Sequence, residues 1–144
     1  MEHKAILLVE DNPSDIELTK RAMLQSHVAN EMIVVEDGQE ALDILFGTGK
    51  TGAIKDLPAV VLLDLKLPKL DGLEVLRRIR SNERTRLLPV VILTSSKAEQ
   101  DIITSYKLGA NSYIQKPVDF NQFVDAIKNL GLYWLVLNEP PPVK

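Results

Sequence analysis

The sequence predicts an α/β protein with a doubly wound, five-stranded parallel sheet and helices on both faces. Five short segments rich in Val, Ile and Leu alternate with five segments whose apolar residues recur at helical spacing. The strongest strand segments lack polar alternation, which is typical of strands buried on both faces. Strands and helices that alternate in this order favour a parallel sheet.

The first half of the chain contains three of the predicted strands. Residues 5–9 (AILLV) form the first strand, and a helix capped by Asn12 runs from Pro13 to about His27. Residues 31–35 form the second strand, which the usual strand order places at the sheet edge. Asp37 and Gly38 turn the chain into the second helix. Residues 59–64 (AVVLLD) are the most apolar strand segment and predict the centre of the sheet.

The second half of the chain supplies the remaining elements. We expect helices over residues 72–81, 98–108 and 119–130, and strands over 89–94 and 111–114. Asp119 is the predicted cap of the last helix. The domain is expected to span residues 1–130, followed by an apolar and then proline-rich C-terminal extension over 131–144.

The composition excludes several classes of function. A chain of 144 residues has room for one domain of ordinary size. The absence of cysteine excludes disulfides, zinc–thiolate sites and thiol catalysis. The net charge of -3 gives no basic footprint for nucleic acid or for a membrane surface. The first apolar run is too short for a signal peptide or a membrane span, so the expected compartment is the cytoplasm.

Reactive side chains follow the strand segments that share one end of the predicted sheet. In an open parallel sheet, ligands bind in the crevice beyond the carboxyl ends of the strands. Three close carboxylates there repel by about 4 kcal/mol per pair at an effective dielectric near 20, so the fold needs a cation among them. A lysine and a hard divalent ion, Mg²⁺ or Mn²⁺, meet that need. The residues concerned are Glu10, Asp11, Asp64, Thr94 and Lys116.

These residue types suit phosphoryl transfer to a carboxylate. In this hypothesis Asp11 and Asp64 bind the metal directly, Glu10 binds it through water, and the carbonyl of Lys66 completes the set. Asp64 then attacks phosphorus to form an acyl phosphate, and Lys116 and the Thr94 hydroxyl stabilise the charge on the phosphoryl oxygens. Each residue alone has an ordinary explanation as a helix cap or a solvated charge. Their joint occurrence at one crevice favours the chemical interpretation.

Four segments resemble the receiver domain of two-component response regulators over residues 4–130. They are ILLVEDN (6–12), LLDLKLP (62–68) with Asp71-Gly72, VILTS (91–95) and YIQKP (113–117). The resemblance implies a flavodoxin-like receiver fold without a separate output domain. It also implies signalling through protein contacts rather than an enzyme, apart from the protein's own phosphorylation and dephosphorylation.

The resemblance assigns a role to each residue at the predicted crevice. Asp64 would accept the phosphoryl group from a histidine kinase or a phosphotransfer protein, and Glu10 and Asp11 would be the acidic metal pair. Lys116 would contact the phosphate. The Lys116–Pro117 bond would be cis, as is typical of similar domains.

Two residues would form the switch of a receiver. Thr94 would move to the phosphoryl group, and Tyr113 would turn into the space left behind. The movement would change the surface made by the fourth helix and the fifth strand.

Two further segments leave their interpretation open. Residues 47–52 (GTGKTG) imitate a phosphate-binding loop, but Ile44 stands where that motif needs glycine, so we interpret the segment as a connection. A similar long connection occurs in receivers that partner phytochrome-like kinases. The apolar tail either folds back on its own domain or forms a homodimer contact through Tyr133, Trp134, Leu135 and Leu137, joined by the fourth-helix and fifth-strand surface.

Two rival functions remain. A phosphatase of the haloacid-dehalogenase type would use Asp64 as nucleophile, but it needs a second aspartate at position 66, where this chain has lysine. A receiver-like module that binds partners without phosphorylation would not need the complete set of five site residues.

Overall fold

Five parallel strands form the centre of the computed structural model, which describes residues 5–25, 30–47, 56–117 and 119–142. Within these ranges the strands follow the order β2-β1-β3-β4-β5. The four residues of β3 are fully buried, as expected for the middle strand, and β2 lies at an edge. The predicted sheet is therefore confirmed. The bounds are β1 Ile6–Val9, β2 Met32–Val35, β3 Val60–Leu63, β4 Val90–Thr94 and β5 Ser112–Gln115.

Helices cover both faces of the sheet. On one face, α2 and α3 pack on apolar side chains of the strands, and on the other α1 and α5 do so. The bounds are α1 Pro13–Gln25, α2 Gly38–Phe46, α3 Gly72–Ser81, α4 Glu99–Lys107 and α5 Phe120–Leu132. The predicted end of the first helix near His27, and most of the glycine-rich connection, lie outside the described residues.

The helix caps follow from the sequence. The side chain of Asn12 accepts hydrogen bonds from the backbone N–H groups of Ser14 and Asp15, at 2.9 and 3.2 Å. The Asp119 side chain likewise accepts from the N–H of Asn121 at 2.7 Å. A short polar side chain at this position satisfies amide groups that have no partner within the helix. Both predicted caps are confirmed.

The last helix is longer than the sequence predicts. It continues past Leu130 to Leu132 and passes into a π-helical turn, Tyr133–Leu137. Leu135 is buried in the same apolar cluster as Ile127, whereas Val136 and Leu137 are exposed. One side of the tail thus packs on its own domain, and the other side remains open to solvent.

Helix α4 is held differently from the other helices. Of its nine residues, all of which are described, only Ser105 is buried. The Ser105 hydroxyl has no hydrogen-bond partner among the described residues. Ala98, which precedes the helix, offers no side-chain cap. Apolar packing therefore contributes little to the position of α4.

The guanidinium group of Arg80, at the end of α3, joins two loops at the amino-terminal end of β4 and β5. It donates to the carbonyl oxygens of Gly109 and Leu88, at 3.0 and 2.7 Å, and to Oδ1 of Asn111 at 2.9 Å. Asn111 Oδ1 also accepts from the N–H of Val90. This set of bonds fixes the loop between α4 and β5 to the rest of the domain.

The loop between β3 and α3 approaches its neighbours closely. A Cβ atom on Gly72 would lie 2.2 Å from the carbonyl oxygen of Asp64, and one on Gly38 would lie 2.0 Å from that of Leu70. Both positions therefore require glycine. Lys69, in the loop that leads to Gly72, has a left-handed backbone with φ of 66°.

Among the described residues, no helix is both long and apolar enough to cross a bilayer.

Candidate functional site

The strand register brings the predicted site residues to one end of the sheet. Val9 pairs with Leu63, so Glu10 and Asp64 leave adjacent strands at the same level. The N–H of Asp64 donates to the Val9 carbonyl at 3.1 Å, and the N–H of Lys116 donates to the Thr94 carbonyl at 2.7 Å. The pairing of β1, β3, β4 and β5 therefore places four strand ends around one crevice.

Asp64 lies at the centre of this crevice and is 8% exposed. Its Oδ1 accepts a hydrogen bond of 2.7 Å from the Thr94 hydroxyl and a longer one of 3.3 Å from the N–H of Lys66. Its Oδ2 accepts from the Lys116 ammonium group at 3.0 Å. Both carboxylate oxygens are thus oriented by donors that stabilise negative charge.

The Lys116 ammonium group joins three carboxylates. Besides Asp64, it donates to Glu10 Oε1 at 2.5 Å and to Asp15 Oδ2 at 2.8 Å. Asp15 was not among the site residues predicted from the sequence. Its position in the first turn of α1, four residues after Asp11 and at the same end of the sheet, is the signal that could have indicated it.

Glu10, Asp11 and Asp64 fit a hard divalent cation. Each offers a carboxylate oxygen, and these oxygens lie within 4.8 Å of one another. Glu10 and Asp64 are buried, whereas Asp11 is exposed and leaves the group open to solvent on one side. Oxygen ligands with an open side suit Mg²⁺ or Mn²⁺, which keep waters and phosphate oxygens in their coordination shell.

Comparison with known proteins identifies the family. Residues 6–128 match the response regulator receiver domain. The chain belongs to that family.

Two curated relatives of this receiver cover nearly the same length. The probable methanogenesis regulatory protein FilR2 of Methanothrix harundinacea is 40% identical over 94% of this chain and 86% of its own. The response regulator Rcp1 of Synechocystis is 37% identical over 92% of this chain and 89% of its own.

Solved structures of similar receivers show the same fold. The phosphorylated cyanobacterial phytochrome response regulator RcpA superposes with a TM-score of 0.90, at 41% identity, over 98% of this chain and all of that one. The Mn²⁺-bound form of Rcp1 gives a TM-score of 0.87, at 36% identity, over 96% of this chain and 99% of that one. Phosphorylation of an aspartate and Mg²⁺ binding are typical of the family.

The two buried carboxylates of the receiver crevice have pKa values that are shifted in opposite directions. Burial, the largest influence, raises the pKa of Glu10 to about 7, although the hydrogen bond from Lys116 opposes it. Burial also raises the pKa of Asp64, but the Thr94 hydroxyl and the charge of Lys116 together hold that pKa below its ordinary value. Burial lowers the pKa of Lys116, but its hydrogen bonds to Asp15 and Glu10 and the charges of Asp64 and Glu10 outweigh this effect, so the net shift is upward. Asp64 and Lys116 are therefore both charged at neutral pH.

The predicted switch residues of the receiver are linked through Ser96. The Ser96 N–H donates to Thr94 Oγ1 at 3.4 Å, and the Tyr113 hydroxyl donates to the Ser96 carbonyl at 3.1 Å. The Ser96 hydroxyl donates to Asp101 Oδ2, in the first turn of α4, at 2.6 Å. Ser96 and Asp101 were not predicted from the sequence, because neither stands out by residue type or spacing.

The prediction of a cis bond before Pro117 is wrong. No cis peptide bond occurs in the part of the chain that the structure describes. The direction of Lys116 is fixed instead by its main-chain bond to Thr94 and by the three carboxylates around its ammonium group. A trans bond is also the lower-energy isomer before proline in the absence of other constraints.

Proposed function

We propose that this receiver accepts a phosphoryl group on Asp64, in a reaction that needs Mg²⁺ or Mn²⁺, and that it signals in the cytoplasm through protein contacts. The observation that supports this function best is the environment of Asp64. Its buried carboxylate is held ionised, with one oxygen bound by Thr94 and the other by Lys116. A charged and oriented carboxylate is a competent nucleophile toward phosphorus.

The roles of the chain's own residues follow from their contacts. One oxygen of Asp64 attacks the phosphorus of the donor as the bond from phosphorus to the donor atom breaks, and an acyl phosphate forms. Lys116 and the Thr94 hydroxyl can then donate to the phosphoryl oxygens, where negative charge is spread in the transition state.

A divalent cation held by Glu10, Asp11 and Asp64 would supply further charge neutralisation. The carbonyl of Lys66 is a proposed additional ligand. The Lys66 N–H already contacts Asp64 Oδ1, which places that main chain beside the carboxylate group.

The experiment that tests this function is incubation with Mg²⁺ and acetyl phosphate, followed by intact-mass measurement. We expect the mass of one phosphoryl group to be added to the wild type and to Asp125→Asn, a control at an exposed aspartate on α5. Asp64→Asn should gain nothing. Phosphorylation that persists in Asp64→Asn would contradict the assignment, and a wild type that never gains mass would favour a phosphorylation-independent binding module.

The phosphatase alternative has less support. Residue 66 is an exposed lysine that cannot act as the second carboxyl group of that mechanism. Release of phosphate from many equivalents of a phosphomonoester per protein molecule would favour it, whereas the receiver should show no such turnover.

We further propose a histidine kinase or phosphotransfer protein of a phytochrome system as the donor. Its support is the similarity to Rcp1 and to RcpA, which is described as a phytochrome response regulator. The similarity to FilR2, whose name has no such link, leaves other kinases as rivals. Phosphotransfer rates from a phytochrome kinase and from an unrelated histidine kinase would discriminate between them.

A homodimer is proposed through the exposed side of the tail, joined by the surface of α4 and β5. Val136 and Leu137 are 67% and 65% exposed, and Ile103 and Tyr106 of α4 are also exposed. We expect Val136→Glu to lower the mass measured by light scattering from that of a dimer to that of a monomer. Leu24→Glu, at an exposed leucine on α1, is the control that should keep the dimer. Truncation after Leu130 is a less clean test, since it also removes the buried Leu135.

A further inference from the structure

The Lys116 ammonium group uses all of its N–H donors on carboxylates. It donates to Glu10 Oε1 at 2.5 Å, to Asp15 Oδ2 at 2.8 Å and to Asp64 Oδ2 at 3.0 Å. An ammonium group has three donors and a flexible stem, so its direction depends on the bonds that it makes. Only 9% of the side chain is exposed, which leaves water little part in holding it.

Two of these three bonds involve groups that the proposed reaction needs for other purposes. Glu10 and Asp64 belong, with Asp11, to the carboxylates that can hold a divalent cation. Such a cation attracts the same carboxylates and repels the ammonium group of Lys116. Phosphorylation then converts the Asp64 carboxylate into an acyl phosphate, in which the carboxyl group has lost its own charge. Both bonds are therefore weakened in the course of the reaction.

Asp15 is the third partner of Lys116, and its charge is not needed elsewhere. The group of metal-binding carboxylates found among the described residues does not include it. Helix α1 holds the main chain of Asp15, whose N–H donates to Asn12 Oδ1 at 3.2 Å and whose carbonyl accepts from the hydroxyl of the buried Thr19 at 2.7 Å. Asp15 thus offers the ammonium group a charged acceptor on a fixed backbone.

We infer that Asp15 is a positioning residue, which tethers the Lys116 ammonium group and keeps it directed at Asp64 while its other two bonds weaken. Asp15 acts on the reaction through the lysine and not through the phosphoryl group itself. This role rests on the proposed phosphorylation of Asp64 and adds one residue to the same site. A tethered lysine loses less conformational freedom when it binds the phosphoryl oxygens, so the barrier is lower.

The rate of phosphorylation by acetyl phosphate and Mg²⁺, followed by intact mass, tests the role of Asp15. We expect Asp15→Ala to react about tenfold more slowly than the wild type, within the loss of about a hundredfold that a misplaced group can cause. Asp15→Asn keeps an acceptor oxygen without the charge, so its rate should be intermediate. Glu17→Gln is the matched control. It removes the same charge from an exposed side chain of α1 and should react as the wild type does.

An effect of charge alone would change the rates in the opposite direction. The loss of a negative charge near the crevice favours an anionic donor, so Asp15→Ala and Asp15→Asn would both react faster than the wild type. A rate for Asp15→Ala that equals or exceeds the wild-type rate would therefore overturn the inference.

The ¹⁵N signal of the Lys116 ammonium group tests the tether without phosphorylation. Its loss in Lys116→Arg assigns the signal. We expect the ammonium protons to exchange with water about tenfold faster in Asp15→Ala than in the wild type, because a hydrogen bond to a charged group is lost. Mg²⁺ should widen this difference, since the cation competes for Glu10 and Asp64. Glu17→Gln should leave the exchange unchanged.

Equal ammonium exchange in Asp15→Ala and the wild type, with or without Mg²⁺, would show that Asp15 does not tether the lysine. A wild type that gains no phosphoryl group would instead contradict the proposed function, while the ammonium signal would still decide on the tether. The Asp15 side chain is 30% exposed, and Asp15→Asn preserves its shape. That variant provides both measurements even if Asp15→Ala does not fold.

Discussion

Asp64 and Lys116 form a buried ion pair, with 3.0 Å between Oδ2 and Nζ and only 10% and 9% of the two side chains exposed. Glu10 and Asp15 share the same ammonium group. One cation therefore neutralises part of a larger negative charge, and a divalent ion at the neighbouring carboxylates would complete the balance.

The substitution Lys116→Met should destabilise the metal-free protein by about 3–5 kcal/mol, because it leaves buried carboxylates without their cation. We expect Mg²⁺ to restore more stability to this variant than it adds to the wild type, and we expect acetyl phosphate to leave it unmodified. Urea unfolding with and without Mg²⁺ measures the first effect, and intact mass measures the second. Lys20→Met, at an exposed position on α1, is the control. Equal unfolding free energies for the wild type and Lys116→Met without Mg²⁺ would show that the lysine is not needed for charge balance.

Stability of the metal-free protein should depend on pH through Glu10. Burial raises the pKa of Glu10 from 4.5 to about 7, although the hydrogen bond from Lys116 opposes this rise. The stability that Glu10 contributes is therefore fully present below about pH 4.5 and is lost as the pH rises through 7. At about 1.4 kcal/mol per pKa unit, the full loss is roughly 3–4 kcal/mol. The lowered pKa of Asp64 acts in the opposite direction, but its contribution is lost only as the pH falls below about 3.8.

Urea unfolding of the wild type and of Glu10→Gln, at pH 5 and at pH 8, measures this dependence, with the pH values chosen on either side of the expected change. The wild type should be less stable at the higher pH, and the variant should lose most of that difference. An equal pH dependence in both proteins would show that another group is responsible.

The exposed side chain of Lys66 should prolong the lifetime of the acyl phosphate, by pairing with the phosphoryl group or by shielding it from water. Lys66→Ala keeps the N–H that bonds to Asp64, so it isolates the effect of the side chain. We expect dephosphorylation to become roughly two- to fivefold faster, the range for an exposed charge. The decay of the phosphorylated mass with time is the measurement, and Lys128→Ala on α5 is the control. An unchanged decay rate would assign Lys66 no role in the lifetime.

Gly72→Ala should damage both stability and function. The new methyl group would lie 2.2 Å from the Asp64 carbonyl oxygen, so the end of β3 or the start of α3 must move. Overpacking of this kind costs about 1–3 kcal/mol or more. Because the displaced backbone belongs to Asp64, the proposed phosphoacceptor, phosphorylation by acetyl phosphate should also slow in the fraction that remains folded. A variant with normal stability and normal phosphorylation would show that this contact is easily relaxed.

Lys69→Gly should stabilise the protein by about 0.5–1 kcal/mol. The left-handed backbone of Lys69 is unfavourable for a side chain with a Cβ, and glycine removes that penalty. The ion pair that is lost, 3.5 Å from Asp37, involves a lysine side chain that is 71% exposed and is worth little. Lys69→Ala keeps the strain and loses the ion pair, so it should not stabilise. Urea unfolding of both variants provides the comparison.

The sheet and most of the site could be predicted because they depend on local patterns. Apolar runs such as residues 59–64 specify buried parallel strands, and the residues that follow them must lie at one edge of the sheet. That argument placed Glu10, Asp64, Thr94 and Lys116 together. No strand bound shifted by more than one residue, and these small shifts arise because hydrogen bonding rather than hydrophobicity defines where a strand ends.

The remaining features depend on contacts between segments that are far apart in the chain. Asp15 contacts Lys116 across about a hundred residues. Although it follows Asp11 by about one helical turn, an acid in the first turn is also explained by its favourable interaction with the helix dipole. Ser96 and Asp101 likewise acquire a role only through the fold. The tail could not be assigned, because apolar residues such as Leu135 and Leu137 look alike in sequence although one is buried and the other exposed.

The bonds of Arg80 to Gly109 and Asn111 restrict how the neighbouring helix can move. The acceptors of Arg80 are main-chain carbonyl oxygens and an amide oxygen, which do not titrate. Protonation of the distant carboxylates therefore does not change the charge of the groups in these bonds. We expect a displacement of α4 that leaves these bonds intact to be mainly a rotation about its carboxyl end. In such a rotation the turn that contains Asp101 travels furthest and the turn at Lys107 least.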